Sequence, residues 1–128
     1  MCWQLAKNMS DLEELMSKID QFATDRDWTQ FHSPKNLAAS ISIEAGELLE
    51  CFQWDDLTAD ELKMDARRFE NIKSELADVI NYSLRLCSIL DLYPIEIVTK
   101  KLHENAKKYP VRLSKGKSTK YTELEENE

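Results

Sequence analysis

Glycine and proline are nearly missing from this chain. Gly46, Gly116, Pro34, Pro94 and Pro110 are the only five among 128 residues, about a third of the roughly 12 % ordinary in proteins. Hairpin-rich sandwiches and barrels need such turn formers, so the chain is expected to be all-α. With two isolated glycines, neither a P-loop nor a dinucleotide-binding fingerprint can be written. A hydrophobic content of 42 % suffices for one packed domain of this length.

Apolar spacing divides the chain into four helical stretches. The first opens at the capping box Ser10-Asp-Leu-Glu13 and carries Leu12, Leu15, Met16, Ile19, Phe22 and Ala23 on one face. Asp25 to Ser33 reads as a loop. Ser33-Pro34 then starts a second helix, running to about Trp54, with its main stripe at Ala38, Ile41, Ala45, Leu48 and Phe52. A second capping box, Thr58-Ala-Asp-Glu61, precedes a third helix over Phe69 to Leu92. Pro94 and Pro110 bracket the fourth. The expected organisation is a leader over 1–9, a helical domain over 10–110 and a mobile tail over 111–128, basic and then acidic. Leu37, Ile43 and Leu49 fall outside the main stripe of the second helix. That surplus apolar surface favours a four-helix bundle completed by oligomerisation.

Four acids interrupt the two most hydrophobic helices. Glu44 and Glu47 are three apart on the second helix, Glu75 and Asp78 three apart on the third, so each pair presents neighbouring carboxylates. Taking the apolar stripe as the buried face, Glu44 borders it, Glu47 sits at its margin and Glu50 points away. Converging carboxylates at a core edge repel and lose solvation unless a cation sits among them. An all-oxygen donor set selects a hard ion: Mg²⁺, with Mn²⁺ as a substitute, or Ca²⁺. A di-iron carboxylate bundle would want Glu-x-x-His on two helices, which is not found here.

Aromatic and basic residues extend the pattern. Trp54 lies just past the last core residue of the second helix and Tyr82 one turn beyond Asp78, both suited to form flat apolar walls beside the acids. Lys101, Asn105 and Lys108 form a stripe on the fourth helix able to reach anionic oxygens. His32 and His103 have no ligand spacing and read as surface or capping residues. Cys51 and Cys87 read as small core residues.

Charge and cysteine usage narrow the setting. The net charge is −7, with 5 basic against 13 acidic residues in the first half and eight basic residues concentrated between Lys100 and Lys120. Such a distribution does not make a nucleic-acid-binding surface. The longest stretch without a charged residue, Asn36 to Ile43, has 8 residues, far below the roughly 20 of a membrane span. Three widely spaced cysteines fit a reducing cytoplasm.

The ordered set Arg26-Asp-Trp28, Phe31-His32, Pro34, Asn36-Leu37, Glu44-x-x-Glu47, Phe52-Gln-Trp54 and Glu75-x-x-Asp78 resembles the MazG-like all-α nucleoside triphosphate pyrophosphatases. The 27 residues from Leu48 to Ser74 fit that family's variable gap. Lys101-x-x-x-Asn105, Tyr109-Pro110 and Lys120-Tyr-Thr-Glu-Leu124 are similar to its deoxycytidine triphosphate branch. The resemblance implies a dimer, or a tetramer of two dimers, and Mg²⁺-dependent hydrolysis of a deoxynucleoside triphosphate to monophosphate and pyrophosphate in nucleotide-pool housekeeping. It implies metal ligation and catalysis by Glu44, Glu47, Glu75 and Asp78, base contacts from Trp28, Trp54 and Tyr82, and phosphate contacts from Lys101 and Asn105. Ile19 departs from that branch, which carries histidine there. Two other readings stay open on the residues: a non-catalytic helical interaction module, and a metal-dependent hydrolase of another small phosphate ester.

Overall fold

Helix starts are written into short polar side chains. In the computed structural model, which describes residues 9–125, four helices begin where a side-chain oxygen accepts an otherwise orphaned amide. Ser10 accepts from Glu13 N at 3.2 Å and opens α1, Asp11–Asp25. Ser33 accepts from Asn36 N at 3.2 Å and opens α2, Pro34–Glu50. Thr58 and Asp65 do the same for α3, Ala59–Met64, and α4, Ala66–Ile89. Pro94 supplies the first turn of α5, Pro94–Lys108, and a short α6 spans Val111–Ser114. Two 3₁₀ turns, Thr29–Phe31 and Tyr121–Glu123, complete the elements, and no strand occurs among the described residues. The expected all-α class holds. None of the described helices is long and apolar enough to cross a membrane. The leader expected over 1–9 lies outside the described residues, apart from Met9.

The chain divides into two compact units at the Asp91–Leu92 junction. In the first, α4 is the organising helix: α2 packs along it most extensively, and α1 and α3 lean on it too. Arg68 fastens the connection. Its Nε donates to Cys51 O at 2.8 Å, while both terminal nitrogens grip the Asp55 carboxylate. Thus the long link after α2 is held to the first turn of α4, and α3 stands as a separate short helix. The second helix also stops earlier than its pattern suggests, at Glu50, and Trp54 lies in the turn beyond it.

In the second unit, α6 and the second 3₁₀ turn lie beyond Pro110. Tyr121 meets the Tyr109 ring edge-on at 5.9 Å, and Lys108 Nζ lies 4.8 Å from the Tyr121 ring centre.

The buried face of α2 differs from its apolar stripe. Leu37, expected off the stripe, is its one fully buried residue, whereas Ala38 and Ala45 are exposed. Leu37, Ile41, Glu44 and Leu48 line the inward face at spacings of four, three and four. This rotation puts Glu44 in the middle of the face and not at its border. On α4 the same pattern runs through Ile72, Glu75, Val79 and Tyr82, while Leu76 and Ile80 are nearly half exposed.

Apolar burial is thin. Ala23, Leu37 and Leu84 are the buried hydrophobic residues among those described, while Phe31, Ile43, Leu49 and Leu102 are all at least 60 % exposed. Because so few side chains are fully enclosed, each counts. Leu37→Ala is expected to lower unfolding free energy by about 2–5 kcal/mol, measurable by urea titration.

Candidate metal centre and adjoining cavity

The pairing of α2 with α4 brings acids from both helices together. One carboxylate oxygen from each of Glu44, Glu75 and Asp78 lies within 4.8 Å of the other two. All three side chains are half-buried, and Glu44 Oε2 and Glu75 Oε2 are enclosed without any hydrogen-bond partner. Burial, followed by the Glu75 contact and the charges of Glu47 and Asp78, pushes Glu44 up to about 7. Burial also raises Glu75, although its hydrogen bond with Glu44 works in the opposite direction. Glu44 is therefore only partly ionised near neutral pH when no cation is bound.

Two like charges about 4 Å apart repel by about 4 kcal/mol at an effective dielectric near 20. Burial and neighbouring acids act on Glu44 and Glu75, with no lysine or arginine among the described residues to offset them. Enclosed, unpaired oxygens at this spacing fit a divalent cation, and the all-oxygen set fits a hard one. Glu47 is exposed and stands outside the close trio, yet it acts on both Glu44 and Glu75. Glu50 is exposed, as its register suggests.

Asp78 also borders a cavity of about 330 Å³ between α1, the Trp28 loop and α4. Ile19, Phe22, Trp28 and Tyr82 give it apolar walls, with Lys18 and Asn81 also lining it. Local geometry aims Trp28. Its amide donates to Ala23 O at 2.9 Å after Asp27 takes a left-handed turn at φ 55°. Its ring meets Phe22 edge-on at 5.6 Å, and the Arg26 guanidinium covers Phe22 at 3.6 Å. Asn36 Nδ2 donates to Phe31 O at 3.0 Å, tying the other end of the loop to α2.

Trp28 and Tyr82 are thus brought together with Asp78. Trp54 is not: it is 87 % exposed, because α2 ends before it, and it does not line this cavity. Lys101 and Asn105 share a shallow groove on the second unit with Ile97, Val98 and Leu102. Lys108 is engaged with the Tyr121 ring.

Sequence patterning missed the polar end of the cavity. His32 is half-buried and lines the wall, correcting its reading as a surface or capping residue. Arg85, 6 % exposed, donates from Nε to His32 Nδ1 at 3.1 Å, from Nη1 to Asp20 Oδ1 at 2.8 Å, and from Nη2 to Thr29 Oγ1 at 3.2 Å. One signal was available: Arg85 is a lone charge between Leu84 and Leu86, three residues after Tyr82 and seven after Asp78. Those intervals place all three on one side of α4.

Comparison with known proteins points the same way. The MazG-like family model matches residues 39–124. The chain is 36 % identical over 114 residues to dCTP pyrophosphatase 1 of Mus musculus, covering 88 % of this chain and 67 % of that protein. For the Homo sapiens protein of the same name the identity is 37 % over 116 residues, with the same two coverages. The crystal structure of a pyrophosphatase from Archaeoglobus fulgidus superposes with a TM-score of 0.72 at 43 % identity, over 80 % of this chain and 95 % of that one.

Proposed function

This chain belongs to the MazG-like family, and from that premise we propose that it is a nucleoside triphosphate pyrophosphohydrolase. The substrate class is a deoxynucleoside triphosphate, dCTP or a relative, cleaved to the monophosphate and pyrophosphate as nucleotide-pool housekeeping. The observation that carries this reading is the trio Glu44, Glu75 and Asp78, two of them with enclosed unpaired oxygens, beside an aromatic-walled cavity. A metal site next to a slot for a flat ring suits a nucleotide better than a small phosphate ester.

Glu44, Glu75 and Asp78, with Glu47 at their margin, would hold Mg²⁺, or Mn²⁺ in its place. When bound, such an ion supplies positive charge to the phosphate oxygens and to the departing pyrophosphate. The remaining work falls to side chains. Trp28 and Tyr82 flank the base. Glu47, exposed to solvent beside the trio, orients the water whose oxygen bonds to the α-phosphorus. The bond from that phosphorus to the α–β bridging oxygen breaks, and the bridge leaves with pyrophosphate. Lys101 and Asn105 are assigned to the phosphates, and the basic run between Lys100 and Lys120 attracts the anionic substrate to an acidic protein. Trp54, so exposed on its own chain, would join a base site only from a neighbouring copy. A homo-oligomer, either a dimer or a tetramer of two dimers, also answers the large exposed apolar surface.

Incubation with a panel of deoxynucleoside triphosphates and Mg²⁺ tests the reading. Monophosphate and pyrophosphate are the expected products. Orthophosphate with diphosphate, or no turnover with either Mg²⁺ or Mn²⁺, would reject it.

A further inference from the structure

We propose that Arg85 is a positioning residue for base recognition: its guanidinium fixes His32 as a hydrogen-bond donor at the end of the cavity remote from Asp78. The inference rests on the nucleotide reading above, which supplies the ligand.

A guanidinium offers only donors and stays protonated. Since Arg85 Nε donates to His32 Nδ1 at 3.1 Å, Nδ1 must accept, and the ring's proton resides on Nε2. The same guanidinium reaches Asp20 on α1 and Thr29 in the 3₁₀ turn. One side chain therefore ties α4 to α1 and to Thr29 and His32 of the loop. Asp20 balances its charge in an ion pair at 2.8 Å. Burial and the adjacent Arg85 charge also hold His32 below the usual imidazole range, so the ring stays neutral near pH 7.

Direction comes from the helix. Asp78 and Arg85 both line the cavity, and seven residues of α4 separate them by about 10 Å at 1.5 Å per residue. A nucleotide with its phosphates at the Asp78 end points its base towards His32. There an Nε2–H can meet only an acceptor, a ring nitrogen or carbonyl oxygen of the base. A lysine at position 85 would bring one charge without the three-way fork.

The tautomer is measurable on the full-length wild-type chain by long-range ¹H–¹⁵N NMR, with His103→Gln assigning the second histidine. Expected at pH 7 is His32 protonated on Nε2 alone. A proton on Nδ1, or on both nitrogens, overturns the proposal.

Kinetics then separates recognition from simple support. Arg85→Lys and His32→Phe should each raise KM for the preferred triphosphate about tenfold, the loss of roughly one hydrogen bond, with kcat within about twofold. His32→Gln, whose amide can accept from Arg85 and donate onward, should stay within about threefold of the wild-type KM. Unchanged KM in His32→Phe overturns the proposal, even where Arg85→Lys fails to fold. Equal losses in His32→Gln and His32→Phe overturn it too. If the wild-type protein hydrolyses no triphosphate, the functional reading falls, while the NMR spectrum still decides the Arg85–His32 arrangement.

Discussion

Asp78→Ala and Glu75→Ala proteins are expected to keep the helical circular dichroism of the wild type and to lose about 10²–10³-fold or more in triphosphate turnover. Both side chains lie in the close carboxylate trio, and neither is needed to complete a helix. The stability consequence should run opposite to the activity. In the metal-free protein each acid adds repulsion to a half-buried cluster with no basic side chain among the described residues to offset it. Removing one relieves that repulsion, so the melting temperature without metal should hold or rise. The increment added by Mg²⁺ should vanish in the same variants. Glu47→Ala should lose turnover as well while retaining part of the Mg²⁺ increment, because Glu47 stands outside the trio. Differential scanning fluorimetry with and without Mg²⁺, beside a pyrophosphate-release assay, reads both quantities. Normal turnover in Asp78→Ala and Glu75→Ala would eliminate the carboxylate assignment, and an intact Mg²⁺ increment would place the ion elsewhere.

A second large effect concerns pH. Glu44 is pushed up to about 7 from an ordinary value of 4.5. Between those values the folded protein binds more protons than the unfolded chain, so stability falls as pH rises through that window. Metal-free protein should therefore melt higher near pH 5.5 than near pH 8, as far as this cluster contributes. Divalent metal binding requires deprotonated carboxylates and so releases protons. The Mg²⁺ increment should consequently grow with pH across the same window. At a hundredfold excess over Kd the stabilisation reaches about 2.7 kcal/mol, or roughly 10 °C for a domain of this size. Glu44→Gln should flatten the dependence in both states. A Mg²⁺ increment that shrank from pH 6 to pH 8 would contradict the arrangement.

The exposed apolar residues bear on how these measurements are made. Helix α5 leaves Ile95, Val98 and Leu102 more than half exposed, and α2 leaves Ile43 and Leu49 so. Melting temperatures of an oligomer depend on protein concentration. Each comparison above therefore belongs at one fixed concentration.

Much of the architecture was legible before any coordinates. Helix starts rest on local chemistry, so Ser10, Ser33, Thr58 and Pro94 mark them directly. The four acids also stood out, because carboxylates at helical spacing among apolar residues demand an explanation. Tyr82 was singled out from its distance to those acids along the chain, and Trp28 from the family resemblance. The face of α2 was harder to read. Ala38 and Ala45 mimic a core stripe, whereas Leu37 and Glu44 in fact point inward. Hydropathy weighs residues by their affinity for oil, and a carboxylate on the inward face counts against the correct register.

What the sequence determined by itself was an all-helical chain, most of its helix starts, and a set of acids needing a counter-charge. These depend on interactions within three or four residues. Only tertiary structure decided which acids meet, that Glu47 sits at the margin of the trio, and that Arg85 joins Asp20, Thr29 and His32 across 53 to 65 residues of chain. Contacts over that separation depend on how α1 and α2 rotate against α4. Side-chain volume and burial set that rotation, and hydrophobic spacing registers neither.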